Sequence, residues 1–341
     1  MNNRILVTGG TGFIGSHTVV ELQQKGFDVV IADNLSNSFE EVVDRIAKIT
    51  GVRPDFEKTE LRNASQVNAI FDKYPDIQGV IHFAASKAVG ESVQKPLMYY
   101  HNNLTSLMNV LDAMLSHNVH HIVFSSSCTV YGQPDTLPVS ESSPRKKALS
   151  PYGNTKAMCE DIITDVAKVN DMDAILLRYF NPIGAHESAL IGEYPQGVPN
   201  NLIPYLTQTA VGIRKCLSVY GNDYNTPDGT GIRDYIHVVD LAKAHVVAIE
   251  RMLDNKCKAK TEVFNIGTGH GYSVLDIIKS FEKVNDIKIN YQIVGRREGD
   301  IEQVWADTTY ANNELGWKAE RNLDDMMLTS WNWEKSRNKN Q

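Results

Sequence analysis

Short apolar runs alternate along this chain with longer stretches in which apolar residues return every three or four positions. The runs are Arg4–Thr8, 28–32, 79–85, 121–126, 174–178 and 263–267, each of strand length and built largely from aliphatic residues. The stretches between them read as amphipathic helices, among them 16–25, 97–116 and 152–169. Strands in alternation with helices predict an α/β fold with a doubly wound parallel sheet. That sheet takes up 1–180, with later segments, about 232–267, returning to it, while 181–341 forms mainly a smaller, mixed α/β C-terminal domain.

The first run leads straight into Gly9-Gly10-Thr11-Gly12-Phe13-Ile14-Gly15. A glycine turn between strand and helix is a phosphate cradle. Gly9 permits the tight turn, Gly12 lets backbone N–H groups approach a pyrophosphate, and Gly15 allows close helix–strand packing, with the positive helix end on the phosphates. The second run ends in Asp33, 18 residues after Gly15, where a carboxylate accepts hydrogen bonds from an adenosine ribose and repels a 2′-phosphate. Together they predict a Rossmann-type site that prefers NAD to NADP. A local role for Asp33 in the turn Asn34-Leu35-Ser36-Asn37 competes with the ribose contact.

Candidate chemistry sits further on. Tyr152 and Lys156 lie in Ser150-Pro151-Tyr152-Gly153-Asn154-Thr155-Lys156, with Ser125, Ser126 and Ser127 upstream. Four residues apart on a helix, the two side chains leave from one face, so the lysine charge is expected under the tyrosine ring, favouring the phenolate. A hydroxyl such as that of Ser127 can bond the same substrate oxygen and guide its proton. The trio suits hydride transfer at a secondary alcohol. Ala84-Ala85-Ser86-Lys87 and the serine run both fall at carboxyl ends of strands, where such sheets bind ligands.

With 42% apolar residues the chain can bury a full core, and its net charge of −7 argues against a nucleic-acid groove. Cys128, Cys159, Cys216 and Cys257 have neither metal-ligand spacing nor a paired arrangement. They read as reduced thiols in a cytoplasm, with no metal site. The first strand starts too early for a secretory signal, and no apolar stretch is long enough for a membrane. Trp331 and Trp333 are expected to pack on the body, and the polar tail 335–341 to fray.

Several segments together resemble the extended short-chain dehydrogenase/reductase family, in its nucleotide-sugar 4-epimerase branch. They are Val7-Thr8-Gly9-Gly10, Lys87-Ala88-Val89-Gly90-Glu91-Ser92, the Tyr152 to Lys156 stretch, Arg178-Tyr179-Phe180-Asn181-Pro182, Pro199-Asn200-Asn201-Leu202, Gly231-Ile232-Arg233-Asp234-Tyr235-Ile236-His237 and Arg296-Arg297-Glu298-Gly299-Asp300. The resemblance implies NAD-dependent interconversion of UDP-glucose and UDP-galactose through a 4-keto sugar, with NAD tightly held and regenerated in each cycle. It implies Tyr152, Ser127 and Lys156 as catalytic residues. Around NAD it places Gly9, Gly12, Phe13, Ile14, Gly15, Asp33, Asn34, Asn37, Ser38, Glu60, Leu61, Phe83, Ala84, Ala85, Ser125, Tyr152, Tyr179 and Lys156, the last also holding the nicotinamide ribose. Lys87 and Asn102 are carried over as well, although an exposed loop charge and a helix cap would account for them equally.

On the UDP-sugar side it implies Asn181, Asn201 and Leu202 at substrate and diphosphate, and Ser218, Tyr220 and Asp300 near the uridine. Arg233 and Arg297 would grip the phosphates bidentately. Helices 97–116 and 152–169 resemble those that pair in family dimers, so the chain is expected to be a homodimer, although an apolar helix face could equally be buried within its own subunit.

Two positions depart from the family pattern. Glu60-Leu61 stands where an Asp and an aliphatic residue flank the adenine, and Val304 stands where glucose/galactose-restricted epimerases carry a bulky tyrosine. The smaller valine would admit an N-acetyl group, unless neighbouring side chains refill the space. Rival readings are a 4,6-dehydratase, a UDP-uronate epimerase and a nucleotide-sensing regulator without chemistry. Cys128-Thr129-Val130 after Ser127 offers no carboxylate for elimination, the uronate reading calls for an extra cation near the sugar carboxylate that no motif identifies and stays open, and the intact Ser127, Tyr152 and Lys156 argue against a sensor.

Overall fold

In the computed structural model, which describes residues 3–297 and 301–339, the apolar runs become strands of one seven-stranded sheet. They are Arg4–Thr8 (β1), Asp28–Asp33 (β2), Asp55–Lys58 (β3), Ile77–His82 (β4), His121–Ser125 (β5), Asp173–Tyr179 (β6) and, later in the chain, Thr261–Ile266 (β10). The order is β10-β6-β5-β4-β1-β2-β3, and every adjacent pair is parallel. The chain winds outward from β1 through β2 and β3, then crosses back to β4 and winds the other way. The switch between β1 and β4 opens a crevice at the carboxyl ends of those strands.

Alternation along each strand divides the core. Ile5 and Val7 of β1 face Val19, Val20 and Ile249, under helices Phe13–Gln24 (α1), Glu41–Thr50 (α2) and Val238–Leu253 (α8). Leu6 faces the opposite side, with Phe71, Leu107 and Ile163 from Ala64–Lys73 (α3), Pro96–Ser116 (α5) and Pro151–Val169 (α6). A short helix, Val89–Gln94 (α4), leads into α5. With both faces covered, each buried aliphatic side chain contributes about 1.5–3 kcal/mol relative to exposure.

The remaining elements form the smaller part. Asn181–Ile183 (β7), Ile232–His237 (β9), Gly271–Ser273 (β11) and Gln303–Val304 (β13) make a four-stranded sheet around β9, and Leu217–Tyr220 (β8) pairs with Tyr291–Val294 (β12). Helices Leu202–Ala210 (α7), Val274–Asn285 (α9) and Leu323–Lys339 (α10) enclose a third core that includes Leu206, Phe281, Met326 and Trp331.

Several boundaries differ from the sequence reading. α1 begins at Phe13 rather than at 16, because the glycine turn itself enters the helix. β4 ends at His82, so Phe83 to Ala85 belong to the loop that reaches the site. β3, with the polar sequence Asp-Phe-Glu-Lys, escaped notice because an edge strand shows no apolar run. The tail is helical through Lys339 rather than frayed from 335. Arg337 is buried, pairs with Glu334 at 2.7 Å and lies over Tyr194, so these charges face the body instead of solvent. Trp331 and Trp333 are buried, and Trp333 donates to the Glu193 carbonyl at 2.9 Å. All four cysteines are free. No helix among the described residues is long and apolar enough to cross a membrane, and no described group of three or more His, Cys, Asp or Glu is placed to hold a metal ion.

Candidate active site

The glycine turn fits a diphosphate on geometric grounds. α1 follows Gly12 with neither a side-chain cap nor an acidic residue in its first turn, so its N–H groups and positive end favour an anion. A Cβ at Gly15 would lie 2.2 Å from the Gly9 carbonyl oxygen, and one at Gly9, where φ is +71°, would lie 2.9 Å from the Ala84 nitrogen. Only glycine lets the turn close against both the helix and the loop after β4.

Asp33 ends β2 buried, accepting from Thr11 N at 3.3 Å, Leu35 N at 2.9 Å and Ser38 Oγ at 3.2 Å. It therefore braces both the turn that follows β2 and the glycine cradle. Glu60 sits alongside: Asn34 donates to it at 3.2 Å and Arg62 at 2.8 Å, and Arg62 is the main cause that holds its carboxyl down at about 2. The Leu61 side chain joins the core and Asn37 is exposed. A cradle that a Cβ would fill, an uncapped helix end and a buried strand-end carboxylate fit a dinucleotide such as NAD.

The catalytic candidates converge at the end of β5. Ser150 caps α6, accepting from Gly153 N at 3.1 Å, and Pro151 opens the helix, which brings Tyr152 and Lys156 inward on one face. Ser127 caps the 3-10 turn Cys128–Tyr131, and its Oγ accepts from Thr129 N at 3.2 Å and Thr129 Oγ1 at 3.0 Å. With both acceptor positions used, the Ser127 proton is left to donate. Its hydrogen bond with Tyr152 lowers the phenol's pKa, but burial, followed by Tyr179, drives that pKa well above its ordinary value.

The expected lysine position needs correction. Lys156 does not neutralise the phenol from beneath the ring: its ammonium donates to the Ser125 carbonyl at 2.7 Å and lies 4.7 Å from the centre of the Phe124 ring. A buried ammonium takes the nearest fixed acceptor, here the last carbonyl of β5. Burial lowers its pKa to about 8. Ser125 Oγ donates to the Tyr179 hydroxyl at 3.2 Å, and Phe83 packs on His245 with ring centres 4.6 Å apart. Ser86, just past Ala84 and Ala85, is tied to Asn102 at 3.1 Å and to Asn103 at 2.8 Å.

Opposite this corner stand the candidates from the smaller part. Arg233 on β9 donates to the Ile232 carbonyl at 2.8 Å and is in register with Val304 of β13. Arg297 lies over the Tyr220 ring at 5.7 Å, with Ser218 two residues back on β8. Asn181 opens β7, and Leu202 starts α7. Asp300 lies outside the described residues. Val304 is only 4% exposed and belongs to a cluster with Val130, Phe180 and Cys128. Sequence reasoning missed Glu193, which accepts from Lys87 at 3.2 Å and Asn201 at 2.7 Å and so joins the two sides. No motif marked it. It also missed Thr129, whose only signal was its place after the serine run.

A glycine cradle and a Ser-Tyr-Lys corner on a seven-stranded parallel sheet define a dinucleotide-dependent enzyme of the short-chain dehydrogenase/reductase class. Comparison with known proteins narrows this. Residues 6–329 match the family model described as GDP-mannose 4,6 dehydratase. The UDP-glucose 4-epimerase of Pasteurella multocida (strain Pm70) is 51% identical over 332 residues, 97% of each chain. Among solved structures, the UDP-glucose 4-epimerase of Stenotrophomonas maltophila, with bound NAD and formylated UDP-arabinopyranose, is 46% identical with a TM-score of 0.96 over 100% of both chains. That of Bifidobacterium longum, in complex with NAD+ and UDP, is 49% identical with a TM-score of 0.94 over 98% of this chain and 99% of the other. The chain belongs to this family and, within it, to the UDP-glucose 4-epimerases of the extended short-chain dehydrogenases/reductases.

Proposed function

We propose that the protein is an isomerase that interconverts UDP-glucose and UDP-galactose at C4, with NAD held throughout. The observation that carries this is the convergence of Ser127, Tyr152 and Lys156 at the end of β5, beside a cradle built for a dinucleotide. When bound, NAD accepts the C4 hydrogen with its electron pair and later returns it. Gly9, Gly12 and Gly15 would hold its diphosphate and Asp33 its adenosine ribose.

Tyr152 takes the proton of the 4-hydroxyl as the carbonyl forms and gives it back when the alcohol is restored. Ser127, its acceptor positions taken by Thr129, donates its one proton to the same oxygen. The planar 4-keto sugar turns over between the two half-reactions, so recognition falls on UDP. Arg233, Arg297, Asn181, Asn201, Leu202, Ser218, Tyr220 and Asp300 are the residues we assign to that anchor, in the part we place at 181–341.

Elimination, the chemistry of 4,6-dehydratases, is disfavoured by the turn after Ser127. Its four residues, Cys128–Tyr131, carry no carboxylate, and burial pushes the Cys128 thiol up to about 12, too weak an acid to protonate a leaving hydroxyl at neutral pH. A coupled assay on four UDP-sugars tests the proposal. The glucose and galactose pair should interconvert, and absence of turnover with both would refute it.

The same assay decides acceptance of UDP-N-acetylglucosamine and UDP-N-acetylgalactosamine, which we attribute to Val304: Val304→Tyr should abolish it and spare the unsubstituted pair. We further propose a cytoplasmic homodimer. Leu97, Met108 and Leu115 of α5 and Met158 of α6 are exposed apolar residues that a partner would cover.

A further inference from the structure

One turn beyond Lys156, α6 carries a carboxylate inside the protein. Glu160 is 2% exposed. Its Oε1 accepts from Ser126 Oγ at 2.5 Å and Arg178 Nε at 2.9 Å, and its Oε2 from Arg178 Nη2 at 2.6 Å and Arg145 Nη1 at 3.4 Å. A buried ion pair is weak evidence for stability, because desolvating both charges offsets their attraction. What it joins is more informative. Glu160 shares α6 with Tyr152 and Lys156. Ser126 lies between Ser125, whose carbonyl holds the Lys156 ammonium, and Ser127.

Arg178 closes the other side. Its Nη1 donates to the Tyr131 hydroxyl at 3.0 Å, and that hydroxyl donates to Asn265 Oδ1 on β10 at 2.7 Å. Tyr131 ends the 3-10 turn that Ser127 begins. The network therefore grips the segment just before the catalytic serine and again four residues after it.

We infer that Glu160 is a positioning residue: through Ser126 and Arg178 it holds 125–131 in register with α6, so that Ser127 and Tyr152 address one sugar oxygen while Lys156 stays on the Ser125 carbonyl. The catalytic consequence rests on the function proposed above. Displacing a reacting group by about 1 Å can lower a rate by about 10²-fold, and Ser127 and Lys156 come from different elements joined only through the long segment 132–150. A network that spans both elements and is satisfied by four donors removes that freedom.

Glu160→Gln tests this directly but leaves the Arg178 charge unpaired and is liable to unfold. Ser126→Ala removes one hydrogen bond and strands no charge, so it is the principal variant. With the NAD-loaded protein, backbone hydrogen exchange and steady-state kinetics on UDP-galactose are measured side by side. Ser126→Ala should speed exchange within 121–131 and 150–160 and leave other segments unchanged. Its kcat should fall about 10-fold while KM stays within about twofold, since binding through UDP is untouched.

Unchanged exchange in those segments overturns the inference. So does a lower thermal midpoint with kcat retained, which is what a purely structural pair would give. If the parent protein turns over neither UDP-glucose nor UDP-galactose, the functional proposal fails, while the exchange data still decide whether Glu160 holds the segment.

Discussion

Tyr152 and Lys156 are 6% and 3% exposed, whereas Tyr220 is 45% exposed and Asn201 and Arg297 lie at the surface. The catalytic corner is fixed from all sides: Ser150 caps its helix, Ser125 holds its lysine and Thr129 holds its serine. The substrate arm stands on short strands and loops, and its arginines lean on backbone carbonyls and an aromatic face. A reaction whose intermediate must rotate needs this division. Under the proposed function, the groups that move protons are held in place by buried bonds, while those assigned to the nucleotide lie at the surface.

The division can be broken from either side. Tyr152→Phe should give the largest effect, a fall in kcat of about 10²–10⁴-fold with KM little changed, because it removes the proton acceptor and almost no volume. Initial rates in the coupled assay check it. Retained activity would mean that the buried corner is not where the chemistry happens. Arg297→Leu should do the opposite. Losing a charge-assisted hydrogen bond to a phosphate costs about 1.5–3 kcal/mol, or about 10–150-fold in KM, while kcat stays within a few-fold. A fall confined to kcat would erase the distinction between corner and arm.

A third test bears on the buried interior that both regions rest on. Burial, the first cause in each case, keeps His17 and His82 near a pKa of about 3, His245 at about 4 and His237 at about 2. A folded-state value below the unfolded one means that the unfolded chain binds more protons in between. Stability is therefore fully present above about 6.5 and is lost as pH falls below it. By pH 5 each of the four costs about 2 kcal/mol, and together they cost on the order of 5–8 kcal/mol. Urea midpoints at pH 7 and pH 5 should show this drop. The smallest effect follows from it: His82→Gln should reduce the pH-dependent loss by about 2 kcal/mol. Flat stability down to pH 5 would show that these imidazoles are already hydrated.

Much of the corner was legible because local rules govern it. Glycines before a helix, an acid at the end of the second strand, and a Tyr and Lys one turn apart are short-range patterns with a steric or electrostatic reason. Glu160 carried a faint signal, a charge four residues after Lys156, yet periodicity alone cannot separate a buried carboxylate from a solvated one. Glu193 had none, since Lys87 is 106 residues away in the chain and Asn201, eight residues on, shares no strand or helix period with it.

The chain by itself determined the doubly wound sheet, the dinucleotide cradle and the residues able to move a proton, since each follows from spacing within one strand, turn or helix. Only the folded structure decided where the Lys156 ammonium goes, that a buried Glu160–Arg178 pair ties the catalytic helix to the serine run, and that Val304 is covered. Those outcomes depend on which distant groups burial brings within reach. A desolvated charge binds the nearest fixed partner, wherever in the sequence that partner lies.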